Sequence, residues 1–216
     1  MTKKIYLSPS NQDGNMYAYG GTNEMEQCNR IAEYTKTALE RCGFEVKKAQ
    51  KGQNMWTSIK ESNTWGADLH IPIHTNAYNG KTSGTTVFVY SKSNVAMNLA
   101  NPIYKYVQSV AIGTTDYGVR EYPGLAELNS TKAIAVYIEV DFHDNEKVAK
   151  WIVENPELIG EAICMGVCEG YGYKYIPKET TKIYRVQVGA FIKKENAENL
   201  LKKLKQQGYT DAFITS

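Results

Sequence analysis

A chain of 216 residues with 42% apolar and 22% charged residues has the make-up of one large globular domain, or of a main domain with a small appendage. A net charge of +2 argues against a dedicated nucleic-acid binder, which needs a concentrated basic face. No apolar run approaches the ~20 residues of a membrane span, and the expectation is a protein with neither nucleic acid nor membrane among its partners.

The start, Met1-Thr2-Lys3-Lys4-Ile5-Tyr6, runs straight into a strand-like pattern without a signal-peptide core. This predicts synthesis in the cytoplasm, with any work outside the cell following lysis or holin-type release. The cysteines Cys28, Cys42, Cys164 and Cys168 lack metal-knuckle spacing and read as small buried thiols.

Residues 4–7 read as a strand stopped by Ser8-Pro9-Ser10, and a loop rich in Asn, Gly and Tyr follows. Thr22 or Asn23 can cap a helix with Glu24 and Glu26 in its first turn and Gly43 at its end. A strand at 44–47 and a helix at 56–67 come next. The following run, Ala67-Asp68-Leu69-His70-Ile71-Pro72-Ile73-His74-Thr75-Asn76-Ala77, holds two of the three histidines and ends in polar residues, as at the mouth of a strand beside a ligand. Strands at 84–90 and 133–140 and helices at 96–110, 146–151 and 156–171 complete the main part. Pro102 should kink or break its helix, and 114–129 reads as a Gly/Pro-bearing loop. Strands alternating with helices predict an α/β fold, a mainly parallel sheet flanked by helices, with ligands at the carboxyl ends of the strands.

Residues 1–174 form the expected main domain and 175–182 a polar, proline-bearing linker. Residues 183–216 form a small, net-positive βαβ tail, with strands at 184–188 and 212–214 around a helix at 196–207. Such a tail is too short to bury a core alone.

Three positions carry chemistry. His74 precedes Asn76 at strand spacing, on one face, and zinc accepts imidazole nitrogen and carboxylate oxygen while a catalytic site keeps a place for water. Glu24 opens a helix, where stabilising the helix dipole is its simplest role. Glu139 lies inside the apolar run Ala133-Ile134-Ala135-Val136-Tyr137-Ile138-Glu139-Val140, which is costly for a carboxylate unless it is paired, liganded or functional.

At these residues the chain resembles the zinc-dependent N-acetylmuramoyl-L-alanine amidases, the catalytic domains of many phage endolysins and bacterial autolysins. The resemblance spans about residues 4–173. It rests on Ile73-His74-Thr75-Asn76-Ala77, on Glu24-Met25-Glu26-Gln27-Cys28-Asn29-Arg30-Ile31-Ala32, and on Ala135-Val136-Tyr137-Ile138-Glu139-Val140-Asp141-Phe142-His143-Asp144-Asn145. It implies hydrolysis of the amide between muramic acid and the stem-peptide L-alanine. It also implies His74 and Glu24 as zinc ligands and Glu139 as catalytic carboxylate, and Asn76 is assigned beside them to substrate.

The family's first ligand is usually a histidine in an Asp-Pro-Gly-His type turn. Here the turn reads Leu7-Ser8-Pro9-Ser10-Asn11-Gln12-Asp13-Gly14. Gln12 stands at or next to that place, with Asn11 the competing alignment, and an amide ligand implies weak metal affinity. His70 lies four strand residues, ~13 Å, from His74, too far to share an ion, and reads as structural. Arg120 is the candidate for a stem-peptide carboxylate, against the plainer role of a solvated loop charge.

The tail segments Tyr184-Arg185-Val186-Gln187-Val188-Gly189-Ala190-Phe191 and Glu195-Asn196-Ala197-Glu198-Asn199-Leu200 resemble the start of the sporulation-related (SPOR) repeat that binds peptidoglycan glycan strands. Only half of the usual module is present, which predicts pairing of two tails in a homodimer. The alternative function is a metal-poor, catalytically weakened wall-binding protein.

Overall fold

A computed structural model describes residues 2–179 and 186–215. The chain divides into two compact units, Met1–Lys178 and Glu179–Ser216. The first unit carries a six-stranded sheet in the order β2-β1-β3-β6-β4-β5. Its strands are β1 (Lys4–Pro9), β2 (Glu45–Lys48), β3 (Leu69–Asn76), β4 (Thr86–Val89), β5 (Val119–Glu121) and β6 (Ile134–Phe142). All neighbours run parallel except β4 against β6, as the βα alternation predicts. The helices are α1 (Glu24–Arg41), α2 (Met55–Trp65), α3 (Asn94–Val110), α4 (Ala126–Asn129), α5 (Glu146–Glu154) and α6 (Pro156–Tyr171). Among the described residues no helix is long and apolar enough to cross a membrane.

The period-2 alternation of the central strands decides where the core and the cavity lie. Ile5 and Leu7 of β1, Ile71 and Ile73 of β3, and Val136, Ile138 and Val140 of β6 are fully buried in the main core with residues of α1, α3 and α6. Each such side chain contributes roughly 1.5–3 kcal/mol through burial. The intervening residues, Tyr6 and Ser8, His70 and His74, Tyr137 and Glu139, therefore point to the other face. Among the described residues a small cluster of Leu128, Ala135 and Tyr137 forms the apolar core there.

α3 runs unbroken through Pro102, so the proline does not break the helix. The proline leaves the Asn98 carbonyl without its helical donor, and α6 comes so close there that a Cβ on Gly170 would lie 2.9 Å from that oxygen. One turn away, a Cβ on Gly166 would lie 2.4 Å from the Ile103 Cα, so glycine at both positions permits the close packing of α3 on α6. All four cysteines are buried and free. Cys42 Sγ lies 3.7 Å from Cys164 Sγ, which is 4.0 Å from Cys168 Sγ, where α1 ends against α6.

Two short elements, β5 and α4, sit in the stretch 114–129 that reads as loop. At three and four residues they are too short for a hydrophobic period to register.

The second unit contains α7 (Lys194–Gln206), none of whose residues is buried. The expected strand at 212–214 is not formed. Of the expected strand at 184–188, residues 186–188 are not strand and Tyr184 and Arg185 lie outside the described residues. A strand exists only against a partner, and the second unit shows no ladder among its described residues.

Candidate active site

The site forms where β3 and β6 end beside the start of α1. Asn23 caps α1 by accepting from the Glu26 N–H at 2.9 Å, and this presents Glu24 at the helix mouth. Glu24 is buried, with Oε1 2.8 Å from His74 Nδ1 and 3.4 Å from the Thr75 N–H. Asn15 Nδ2 donates to Glu24 Oε2 at 2.7 Å and to Gln12 Oε1 at 2.8 Å. Gln12 Nε2 lies 3.5 Å from His74 Nδ1. Imidazole nitrogen, carboxylate and carboxamide thus converge on one point, although they come from three separate stretches of chain.

Glu139 is the register partner of His74 in the β3–β6 ladder. Its Oε2 is buried and has no hydrogen-bond partner among the described residues. Burial pushes its proton affinity up to about 7, the Glu24 charge adds to this, and His74 opposes it. For Glu24 burial also favours the protonated form, but its hydrogen bonds to His74 and Asn15 outweigh this and hold it below its ordinary value. His74 shifts upward. Burial resists its charging, but the Glu24 hydrogen bond and the charges of Glu139, Glu24 and Glu127 prevail. The imidazole stacks on Tyr137, ring centroids 4.6 Å apart.

A cavity of about 400 Å³ opens at this point, lined among others by Ser8, Asn11, Gln12, Trp56, His74, Glu127 and Tyr137, with no Lys or Arg in its wall. Three carboxylates around one imidazole, without a cationic side chain in the wall, suit a bound cation. Glu24 Oε1, His74 Nδ1 and the Gln12 amide match the donor types that zinc accepts. A tighter donor group, Cys42, Cys164 and Cys168 with ligand atoms within 4.8 Å of one another, belongs to the packing at the far end of α1.

Gln12, Glu24, His74 and Glu139 are thus brought together. Asn11 also lines the cavity, but Gln12 is the residue that reaches His74. Asn76 lies beyond a register shift in the ladder, and its carboxamide accepts from the Ala77 N–H at 2.8 Å. Arg120 is exposed on β5, where its Nε donates to the Tyr117 carbonyl at 3.0 Å. Through Phe88 its register aligns with Tyr137 two strands away, so it flanks the same sheet face at roughly 10 Å. His143 is a packing residue, stacked on Tyr17 with Nδ1 3.0 Å from Thr75 Oγ1.

Sequence reasoning missed Glu127. It lies on α4 in the cavity wall, accepts a hydrogen bond from the Ser8 hydroxyl, and sits 3.2 Å from His70 Nε2. Its only signal was a carboxylate between Ala126 and Leu128 in a short post-proline stretch.

The family model described as N-acetylmuramoyl-L-alanine amidase (Amidase_3) matches residues 9–169, and the SPOR domain model matches residues 170–216. Among curated proteins, the chain is 25% identical over 154 residues to the N-acetylmuramoyl-L-alanine amidase CwlM of Bacillus licheniformis, covering 71% of this chain and 58% of that protein. It is 31% identical over 149 residues to an uncharacterized cell wall amidase of Bacillus anthracis, covering 64% of this chain and 25% of that protein. The chain therefore spans a little over half, and a quarter, of these relatives' lengths.

Among solved structures, the catalytic domain of the amidase CwlV from Bacillus (Paenibacillus) polymyxa superposes with a TM-score of 0.71 at 19% identity, over 80% of this chain and 100% of that one. The catalytic domain of the CD27L endolysin, targeting Clostridia difficile, does so with a TM-score of 0.64 at 27% identity, over 76% and 96%. The chain belongs to the N-acetylmuramoyl-L-alanine amidase family and carries a C-terminal SPOR domain.

Proposed function

We propose that the first unit hydrolyses the amide joining N-acetylmuramic acid to L-alanine of the peptidoglycan stem peptide, with zinc as cofactor and Glu139 as general base. The observation that carries this reading is the meeting of Glu24 Oε1 with His74 Nδ1 beside the unpaired Glu139 carboxylate on the adjacent strand. Glu24, His74 and the Gln12 amide would hold the metal. Zinc supplies Lewis acidity there, polarising the amide carbonyl and acidifying water. Glu139 takes the proton of the attacking water and returns it to the leaving amine. A proton affinity near neutrality suits both halves of that transfer. Tyr137 holds the imidazole plane, and Arg120 and Asn76 are the groups assigned to the stem peptide. The SPOR tail concentrates the enzyme on glycan strands, and its exposed apolar residues favour pairing with a second copy.

Purified walls treated with the zinc-loaded chain should release new L-alanine amino termini and free muramic-acid carboxyl ends in equal amounts. Glu139→Gln should remove this release with the fold intact; normal turnover by that variant overturns the assignment. The amide in place of an imidazole at Gln12 supports a second reading, a wall-binding protein of weakened catalysis. Wall binding without zinc uptake or amide release would select it.

A further inference from the structure

Glu127 has a geometry that none of the roles above uses. Its side chain is buried, and its Oε1 is held by the Ser8 hydroxyl and faces His70 Nε2 at 3.2 Å. His70 is fixed in turn by complete burial and by stacking on Tyr6, rings 5.4 Å apart and within 4° of parallel. With Oε1 engaged on both sides, the free oxygen Oε2 points to His74, 3.9 Å from Nε2. The other nitrogen, Nδ1, is the one facing Glu24 and Gln12.

We propose that Glu127 is the positioning carboxylate of His74: once a metal replaces the Nδ1 proton that His74 donates to Glu24 in the metal-free chain, Glu127 would hold the remaining proton on Nε2 and so fix the imidazole with its Nδ1 lone pair toward the metal position. This rests on the zinc reading above. A neutral imidazole has one donor and one acceptor nitrogen, so whatever favours the proton on Nε2 frees Nδ1 for coordination. An outer carboxylate of this kind also raises the basicity of the ligand, and its loss typically lowers metal affinity 10–100-fold. At 3.9 Å the present contact is a charge contact rather than a hydrogen bond, and a small swing of the Glu127 carboxylate closes it. His70, ~13 Å along the strand from His74, thereby gains a role without touching the ion: it sets Glu127. A site with a single imidazole has particular need of such a device, because the neutral Gln12 amide adds little to its affinity.

The test uses the full chain stripped of metal and titrated with zinc alone against a chromophoric chelator. Glu127→Gln should weaken zinc binding at least tenfold, and Ser8→Ala, which only loosens the carboxylate, should weaken it two- to fivefold. Ser8→Ala combined with Glu127→Gln should weaken binding no more than Glu127→Gln alone, since Ser8 acts only through that carboxylate. With three histidines in the chain, ¹⁵N spectra of the zinc-loaded protein should show an Nε2–H at His74 that exchanges slowly with water, and faster exchange of that proton in Glu127→Gln. Equal zinc affinity of wild type and Glu127→Gln, or additive losses in the Ser8→Ala and Glu127→Gln double variant, overturns the positioning role while the zinc reading stands. A wild-type chain that takes up no zinc overturns both.

Discussion

Glu139 and His74 face each other directly across the β3–β6 ladder, and no hydrogen bond among the described residues satisfies Glu139 Oε2. A carboxylate left unpaired in protein surroundings costs stability once it ionises. Its proton affinity is raised from 4.5 to about 7 by burial, so the metal-free folded chain binds more protons than the unfolded chain between those values. Stability from this group is full below pH 4.5 and is lost as pH rises through about 7. Glu139→Gln should therefore stabilise the metal-free chain by on the order of 3 kcal/mol at pH 8. Near pH 4.5 it should change little. Melting curves at the two pH values check this, and an equal effect at both would show that Glu139 does not titrate in the fold as described. The same variant should be inactive, so this residue trades stability for chemistry.

Metal removal should act in the same region. Chelation should abolish amide release, and added zinc should restore it. A ligand bound only by the folded state stabilises by about 2.7 kcal/mol at a hundredfold excess over Kd, so zinc should raise the melting temperature of wild type. His74→Ala should lose the activity and also the zinc-dependent shift, because it removes the one imidazole in contact with Glu24. A persisting zinc shift in that variant would place the metal elsewhere, with the buried Cys42, Cys164 and Cys168 sulfurs the group to examine next.

Gln12 is the position where affinity should be open to improvement. Its carboxamide already reaches His74 Nδ1 at 3.5 Å and is oriented by Asn15. Gln12→His replaces a neutral amide oxygen with an imidazole nitrogen, a stronger zinc donor. Zinc affinity should rise ten- to a hundredfold by chelator competition, with amide release saturating at lower zinc. Unchanged affinity and rate would remove Gln12 from the metal shell.

The contrast between Glu139 and Glu127 shows what was legible in the chain. Glu139 interrupts a nine-residue strand whose neighbours are buried and apolar, so its cost is visible without coordinates. His74 and Glu24 stand at the ends of long elements with clear periods and caps. Glu127 lies on a four-residue helix, and its partners Ser8, His70 and His74 meet it only through the β1–β3 pairing and the return of the chain after β5. β5 itself is an edge strand of three residues, so Arg120 could be placed on the site face only through its register. The tail shows the converse limit. Its strand-like patterns at 184–188 and 212–214 are real in composition, but a strand forms only against a partner, and residues 186–188 and 212–214 have none among the described residues.

The apolar side chains of the tail yield the last prediction. In the second unit Val186, Val188, Phe191, Ile192, Tyr209, Phe213 and Ile214 are all exposed, Ile192 completely, and α7 buries none of its residues. Apolar exposure on this scale in so short a unit is unusual for a chain that remains alone. A second tail would supply a surface to cover these side chains. The full chain should therefore sediment as a dimer at micromolar concentration. Val188→Lys with Phe213→Ser should make it a monomer and weaken wall binding, while hydrolysis of a small soluble muramoyl-peptide stays unchanged. The last comparison separates targeting from chemistry, since neither substituted residue lies in the catalytic unit. A wild-type monomer at that concentration would rule out pairing and leave the tail to fold on the glycan strand itself.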